Sequence, residues 1–344
     1  MELGKKIKQL RFKAGLTQEQ LAEKLGIGAQ SVSKWENSVA MPDITTLPLI
    51  AEIFGVTIDD LFGLTQEQRL NRIENRMDVE EELPQDVFWE YEEFLKTQLS
   101  NEQNKKRATD LIAYLYWHRM YSYAQKVRHW AKDAIRMAPE EKSCQWMLNM
   151  AEGHTCWDWN MANHTRAIDF YRELVDQNPN SWSPYLYLMD NLIADHRVDE
   201  AEQYLKRFSA LNQRKPFLNE VYKAHIALAR FDAPTADSII ENMLSSNAED
   251  SGVLFEAAQY FAKKCDWDKA LDCYERSFEC DPARPRFQDA LMGISDIWAI
   301  RGNYKKAAEA YDRIVDLLEH EWGLTEEVEL KHAKDIRASL LAKA

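Results

Sequence analysis

The stretch LTQEQLAEKLGIGAQSVSKWEN, Leu16–Asn37, decides the fold. It reads as two short helices joined by a tight turn. Thr17 caps the first, and Gln20, three residues on, bonds back to complete a capping box. Leu21 and Leu25 fall four apart on one helix face. Ala22 is small where a second helix must cross closely. Gly26 sits at the turn, where a left-handed backbone penalises any residue with a Cβ. The second helix starts near Gly28 or Ala29. Its spacing buries Val32 and Trp35 and leaves Ala29, Gln30, Ser33 and Lys34 on the opposite side. A short helix offering Gln, Ser and Lys suits a major groove, where it meets base edges and phosphates.

Outward from this stretch, residues 1–63 resemble the Cro-type (Xre-family) helix-turn-helix repressors of bacteria and phage. KIKQLRFKAGLTQEQLAEKLG and SKWENSVAMPDITTLPLIAEIFGVTIDDLFG together fit their five-helix pattern. The resemblance implies a lambda-repressor-like head over residues 1–64, with double-stranded DNA as its partner. It implies contacts from Gln18, Ala29, Gln30, Ser31, Ser33, Lys34 and Asn37. Gln18 and Asn37 match positions that grip the backbone, and the Gln30 amide suits an adenine edge. It also implies an ion pair between Arg11 and Glu36. Family members often carry Arg before this Gln and Ser two before it. Ala29 and Gly28 stand there instead, so direct base readout is expected to be modest.

The formal charge of −14 is wrong for a DNA binder until it is divided along the chain. Lys5, Lys6, Lys8, Arg11, Lys13, Lys24 and Lys34 outweigh Glu2, Glu19, Glu23 and Glu36, so residues 1–38 carry +3. Residues 39–64 carry −4, and the remaining −13 lies beyond them. The acidic bulk repels phosphate, which predicts weak non-specific binding and two heads per site, hence a homodimer on a palindromic operator. Five cysteines form no C-x-x-C pair and no secretory signal opens the chain, so reduced thiols and a cytoplasmic location are expected. No run of apolar residues is long enough to span a membrane.

Beyond the head, residues 65–105 read as a helical connector, with Leu70, Ile73 and Met77 in a stripe that could pair with a second copy. Asn101 to Arg107 reads as a loop. From 106 to 322 helical hairpins recur, with small residues aligned at Ala167, Ala201, Ala236, Ala270 and Ala307, spaced 34, 35, 34 and 37. A weaker hairpin, anchored on Val127 and Pro139, precedes them. Ala-x-x-x-Tyr holds at Ala167/Tyr171, Ala270/Tyr274 and Ala307/Tyr311. A period near 34 with two helices per unit resembles the tetratricopeptide (TPR) repeat. Each hairpin cannot bury its apolar stripe alone, so stacking is required. Residues 323–344 read as a capping helix. The expected class is all-α, a five-helix head followed by a TPR-like solenoid.

No nucleotide loop, nucleophile elbow or zinc-protease motif occurs, so neither an enzyme nor a cofactor is expected. The resemblance implies that the array takes a peptide or protein ligand, as in Gram-positive quorum-sensing regulators. Counting from the aligned small residues, the groove candidates are Tyr116, Arg119, Asn149, Glu152, Asp190, His225, Gln259, Lys263 and Asp296. Two other readings stay open: an array that docks a protein while the head only localises it, and a metal or redox sensor using His154, Cys156 and His164.

Overall fold

The computed structural model describes residues 2–63, 65–140, 142–153, 159–212 and 214–344. Among these the chain is built from α-helices and short turns, without a strand. It divides into two compact units, Met1–Tyr123 and Ala124–Ala344.

The first unit opens with the head: α1 Glu2–Lys13, α2 Gln18–Leu25, α3 Ala29–Glu36, α4 Leu47–Phe54 and α5 Ile58–Phe62. Asp43 caps a 3-10 turn, Ile44–Thr46, which feeds α4. Leu3, Ile7, Leu21, Ala22, Val32, Trp35, Ile50 and Leu61 meet in one core. Each comes from the apolar stripe of its own helix, the pattern that an amphipathic helix needs to bury one face.

A second core follows, made by α6 Gln66–Val79, α7 Gln85–Gln98 and the first part of α8 Lys105–Met137. Thr65 and Gln68 form a capping box that starts α6. Pro84 stands at the N-cap of α7. Leu70, Ile73 and Met77 are at most 2% exposed and pack on Phe88, Tyr91, Leu95 and Leu115. The stripe expected to meet a second copy is therefore consumed by its own chain. A dimer seam through these three residues would have to open this core.

Two further expectations are corrected here. Asn101 to Arg107 is not all loop, because α8 begins at Lys105. Nor is 106–139 a hairpin. Lys105–Met137 forms one 33-residue helix through that span, and the boundary between the two units falls inside it rather than at 105/106. Neither Gly nor Pro occurs between Lys105 and Met137, so nothing in the chain stops helix propagation.

The second unit continues with α9 Lys142–Glu152, α10 Trp159–Ala162 and α11 Thr165–Gln177. Then come the paired helices: α12 Ser183–Ala194, α13 Val198–Leu211, α14 Phe217–Ala229, α15 Ala233–Ser246, α16 Ser251–Lys263, α17 Trp267–Cys280, α18 Asp289–Ile300 and α19 Tyr304–His320. Ala201, Ala236, Ala270 and Ala307 are fully buried, each where a neighbouring helix presses against its own. Ala167 is only half-buried, its place in the core taken by Ile168. Close approach is also made at Gly293, where an added Cβ would stand 2.6 Å from the Tyr274 ring. The last helix, α20 Val328–Leu341, lays Leu330, Ala333 and Leu340 on the core of the array.

Candidate functional site

The turn between α2 and α3 is fixed by local chemistry. The Gln20 amide donates to the Thr17 hydroxyl at 3.2 Å, and the Thr17 amide donates to the Gln20 side chain at 2.8 Å. Gly26 takes φ 65°, closing α2 in the left-handed region that favours glycine. Val32 and Trp35 anchor α3 from below. Gln30 and Lys34 project into solvent, while Ala29, Ser31 and Ser33 are partly covered. At the end of α3, the Asn37 amide donates to the Ser33 carbonyl at 2.9 Å, which holds Asn37 beside the exposed face.

Under this surface lies a charged pair. Arg11 Nε donates to Glu36 Oε1 at 2.6 Å and its Nη2 to Oε2 at 2.9 Å. Arg11 Nη1 also donates to the Leu16 carbonyl at 2.8 Å. The Gln18 amide donates to Glu36 Oε2 at 2.8 Å, so one of its two N–H bonds is committed to this pair. Burial works to raise the Glu36 carboxyl, but the bonds from Arg11 and Gln18 outweigh it and hold it below the ordinary carboxylate range.

In the array, Asp190, His225, Gln259 and Lys263 line one cavity of about 970 Å³. Its walls come from α12, α14, α16, the end of α17 and the start of α18. Trp182, Leu186, Phe217, Val221, Phe255 and Phe287 give it an apolar side. The Tyr222 hydroxyl donates to Asp190 Oδ1 at 2.9 Å. Asp190 is open to the cavity yet ringed by protein, and this enclosure raises its carboxyl above the usual range, against the Tyr222 bond and the Lys263 charge. Glu256 is raised too, by enclosure and by the charge of Asp190. Burial and then the charge of Lys263 push the His225 imidazole down to about 4.

The other groove candidates do not join them. The Tyr116 hydroxyl bonds to Glu92, and Arg119 lies 4.0 Å over the Phe88 ring and donates to Gln85 at 2.6 Å. Both sit in the first unit, because α8 runs on where a hairpin was expected to turn. Asn149 is exposed on α9. Glu152 is held by Arg128 at 3.3 Å and Lys132 at 2.8 Å. Asp296 is not part of the cavity wall; its charge weighs on Tyr274 and Tyr311. Sequence reasoning missed Tyr222 and Glu256. Each lies one turn before a residue that was chosen, three before His225 and three before Gln259, on the same helix face.

Of the three residues considered for a metal, His154 and Cys156 lie outside the described residues. His164 Nδ1 is 2.6 Å from Asp195 Oδ1, a contact that ties the N-cap of α11 to the C-cap of α12. Among the described residues no group of three or more His, Cys, Asp or Glu is placed to hold a metal ion.

A two-helix turn on a compact head, followed by stacked helical hairpins around a cavity, defines a helix-turn-helix protein with a repeat array. The helix-turn-helix family model matches residues 7–61, and the tetratricopeptide repeat model matches residues 255–320. The transcriptional activator BcrR of Enterococcus faecalis is 40% identical over 79 residues, 23% of this chain and 39% of its own length. An uncharacterised helix-turn-helix regulator of Methanocaldococcus jannaschii is 40% identical over 57 residues, 17% of this chain and 86% of its own length. The chain thus belongs, through its head, to the helix-turn-helix (Xre-family) transcriptional regulators. Among solved structures, PlcR of Bacillus thuringiensis in complex with the peptide PapR7 and DNA is similar, at 13% identity and a TM-score of 0.24 over 94% of this chain and 98% of that one.

Proposed function

We propose that this chain is a transcriptional regulator that binds double-stranded DNA through α2 and α3, as a homodimer on a palindromic site, and whose array senses a peptide. The observation that carries the DNA reading is the solvent-facing row of Gln30, Lys34 and Asn37 on a helix anchored by Val32 and Trp35. Short side chains at Ala29, Ser31 and Ser33 let that helix approach a groove floor closely. The peptide reading rests on the cavity. Its volume, about 970 Å³, falls in the range of small-ligand sites rather than the flat surfaces that dock folded proteins. This favours a peptide over the docking of a folded partner. With +3 on residues 1–38, one head is a weak binder, which supports two heads on half-sites about one helical turn apart.

Selection of bound sites from random DNA by the full chain tests this reading. On the selected site, Gln30→Ala is expected to cost roughly 1–3 kcal/mol and to relax preference at one base position. Lys34→Ala is expected to weaken all sequences alike and to flatten the salt slope by about one unit. Quantitative binding at several salt concentrations separates the two effects. A footprint and affinity indifferent to both substitutions would remove α3 from the interface. A one-half-site footprint with a monomeric mass on DNA would remove the dimer.

A further inference from the structure

We propose that the cavity of the array selects peptides bearing one basic group, an amine or a guanidinium, and seats that group between the carboxylates of Asp190 and Glu256. This rests on the peptide reading above and adds the chemistry of the ligand. Four carboxylates line the cavity (Asp190, Glu256, Asp281 and Asp289) against two lysines, Lys215 and Lys263. His225 adds no positive charge near neutral pH, since its enclosure favours the neutral ring.

The bonding of the two central carboxylates is incomplete. Among the described residues Asp190 has one neutral donor, the Tyr222 hydroxyl. Glu256 is flanked by the charges of Asp190, Lys263 and Lys215 but takes no hydrogen bond from any described residue. Both face the open cavity, where partial withdrawal from water and the nearness of a second carboxylate raise the cost of the charged form. Neither lysine closes an ion pair with them among the described residues. A bound ammonium or guanidinium supplies both what Glu256 lacks, donors, and what the pair lacks, an opposite charge within bonding range.

The apolar wall sets where the rest of the ligand lies. Trp182 stands at the start of α12 and Asp190 eight residues on, about 12 Å along the helix at the usual rise. Phe217, at the start of α14, lines the cavity as well. An extended chain covers about 12 Å in three to four residues. The ligand that fits carries a large apolar side chain three or four residues from its basic group.

Pools of hexapeptides, acetylated and amidated and built from uncharged residues, test this on the immobilised full chain. The pools differ at one fixed position: lysine, norleucine or glutamate. A further norleucine pool with a free amino terminus tells a side-chain amine from a terminal one. The wild type should retain one amine-bearing pool about tenfold over acetylated norleucine, with glutamate last. Glu256→Gln and Asp190→Asn should each bring that ratio severalfold nearer to one. Lys263→Gln should raise it, so the assignment is checked by a gain as well as by two losses. Circular dichroism identifies any variant that fails to fold, and the remaining two still decide. Peptides retained without a basic preference, or with one untouched by all three substitutions, overturn the charge assignment and leave the peptide reading standing. Retention of no pool by the wild type overturns the peptide reading, and the charge assignment with it.

Discussion

Arg11→Ala is expected to cost the head roughly 3–5 kcal/mol, the usual penalty for stranding one member of a buried ion pair. Side-chain exposure is 7% for Arg11 and 1% for Glu36, so the pair is shielded from bulk water in the folded head. The loss also frees the Leu16 carbonyl and leaves Gln18 as the one remaining donor to Glu36 among the described residues. The head is small and the protein layer over the pair is thin, which places the effect nearer the lower end. Hydrogen exchange on the full chain reads it locally. Amides of α1 to α3 should exchange roughly a hundredfold faster or more, while those of α12 to α19 stay as they were. Arg11→Met with Glu36→Leu should cost less than Arg11→Ala alone, because removing both charges leaves none buried. Equal costs for the single and double replacements would mean that packing, rather than charge, holds this corner.

The same pair fixes the direction of the pH dependence. Glu36 is held below its ordinary range in the folded head. Its contribution to stability is therefore fully present above the unfolded value of about 4.3 and is lost as pH falls through the lowered folded value. Acid loosens α1 from α3, and Arg11→Ala should remove most of that dependence.

The head was largely legible because its determinants are local. A capping box, a left-handed glycine and two buried residues on α3 act within a few residues of one another, and each has a spelling in the chain. The Arg11–Glu36 pair spans 25 positions and came from family resemblance rather than from spacing. Where a determinant depends on what lies opposite, the sequence said less. Leu70, Ile73 and Met77 show an apolar stripe, but a stripe does not say whether its partner is the same chain or another copy. The hairpin expected at 106–139 extrapolated a repeat into a segment without a breaker, and α8 simply continued. In the cavity, counting by repeats found Asp190, His225, Gln259 and Lys263 but carried the frame too far, to Tyr116, Arg119 and Asp296. Glu256 was passed over because a glutamate in mid-helix reads as surface charge until its surroundings are known.

Gly4 is the determinant with no spelling at all, and Gly4→Ala carries the other large effect. A Cβ added there would stand 2.0 Å from the Trp35 carbonyl oxygen and 3.0 Å from its carbon. A Cβ has no rotamer and the facing atoms are backbone, so α1 and α3 must move apart. In an open helix the same change would stabilise by roughly 0.5–1 kcal/mol, so the sign rests on this contact alone. Overpacking of this kind costs about 1–3 kcal/mol, and more where backbone has to shift. The Trp35 carbonyl also accepts the amides of Asn37 and Ser38, so its displacement loosens the end of α3 that presents Asn37. Gly4→Ala should therefore lower the melting temperature of the head and weaken DNA binding further than the melting alone accounts for. Lys5→Ala, exposed on the same helix, is the control and should stay within about 0.5 kcal/mol in stability. A Gly4→Ala protein as stable as the wild type would mean that α1 and α3 do not meet at this distance, and that α3 is held by its side-chain core alone.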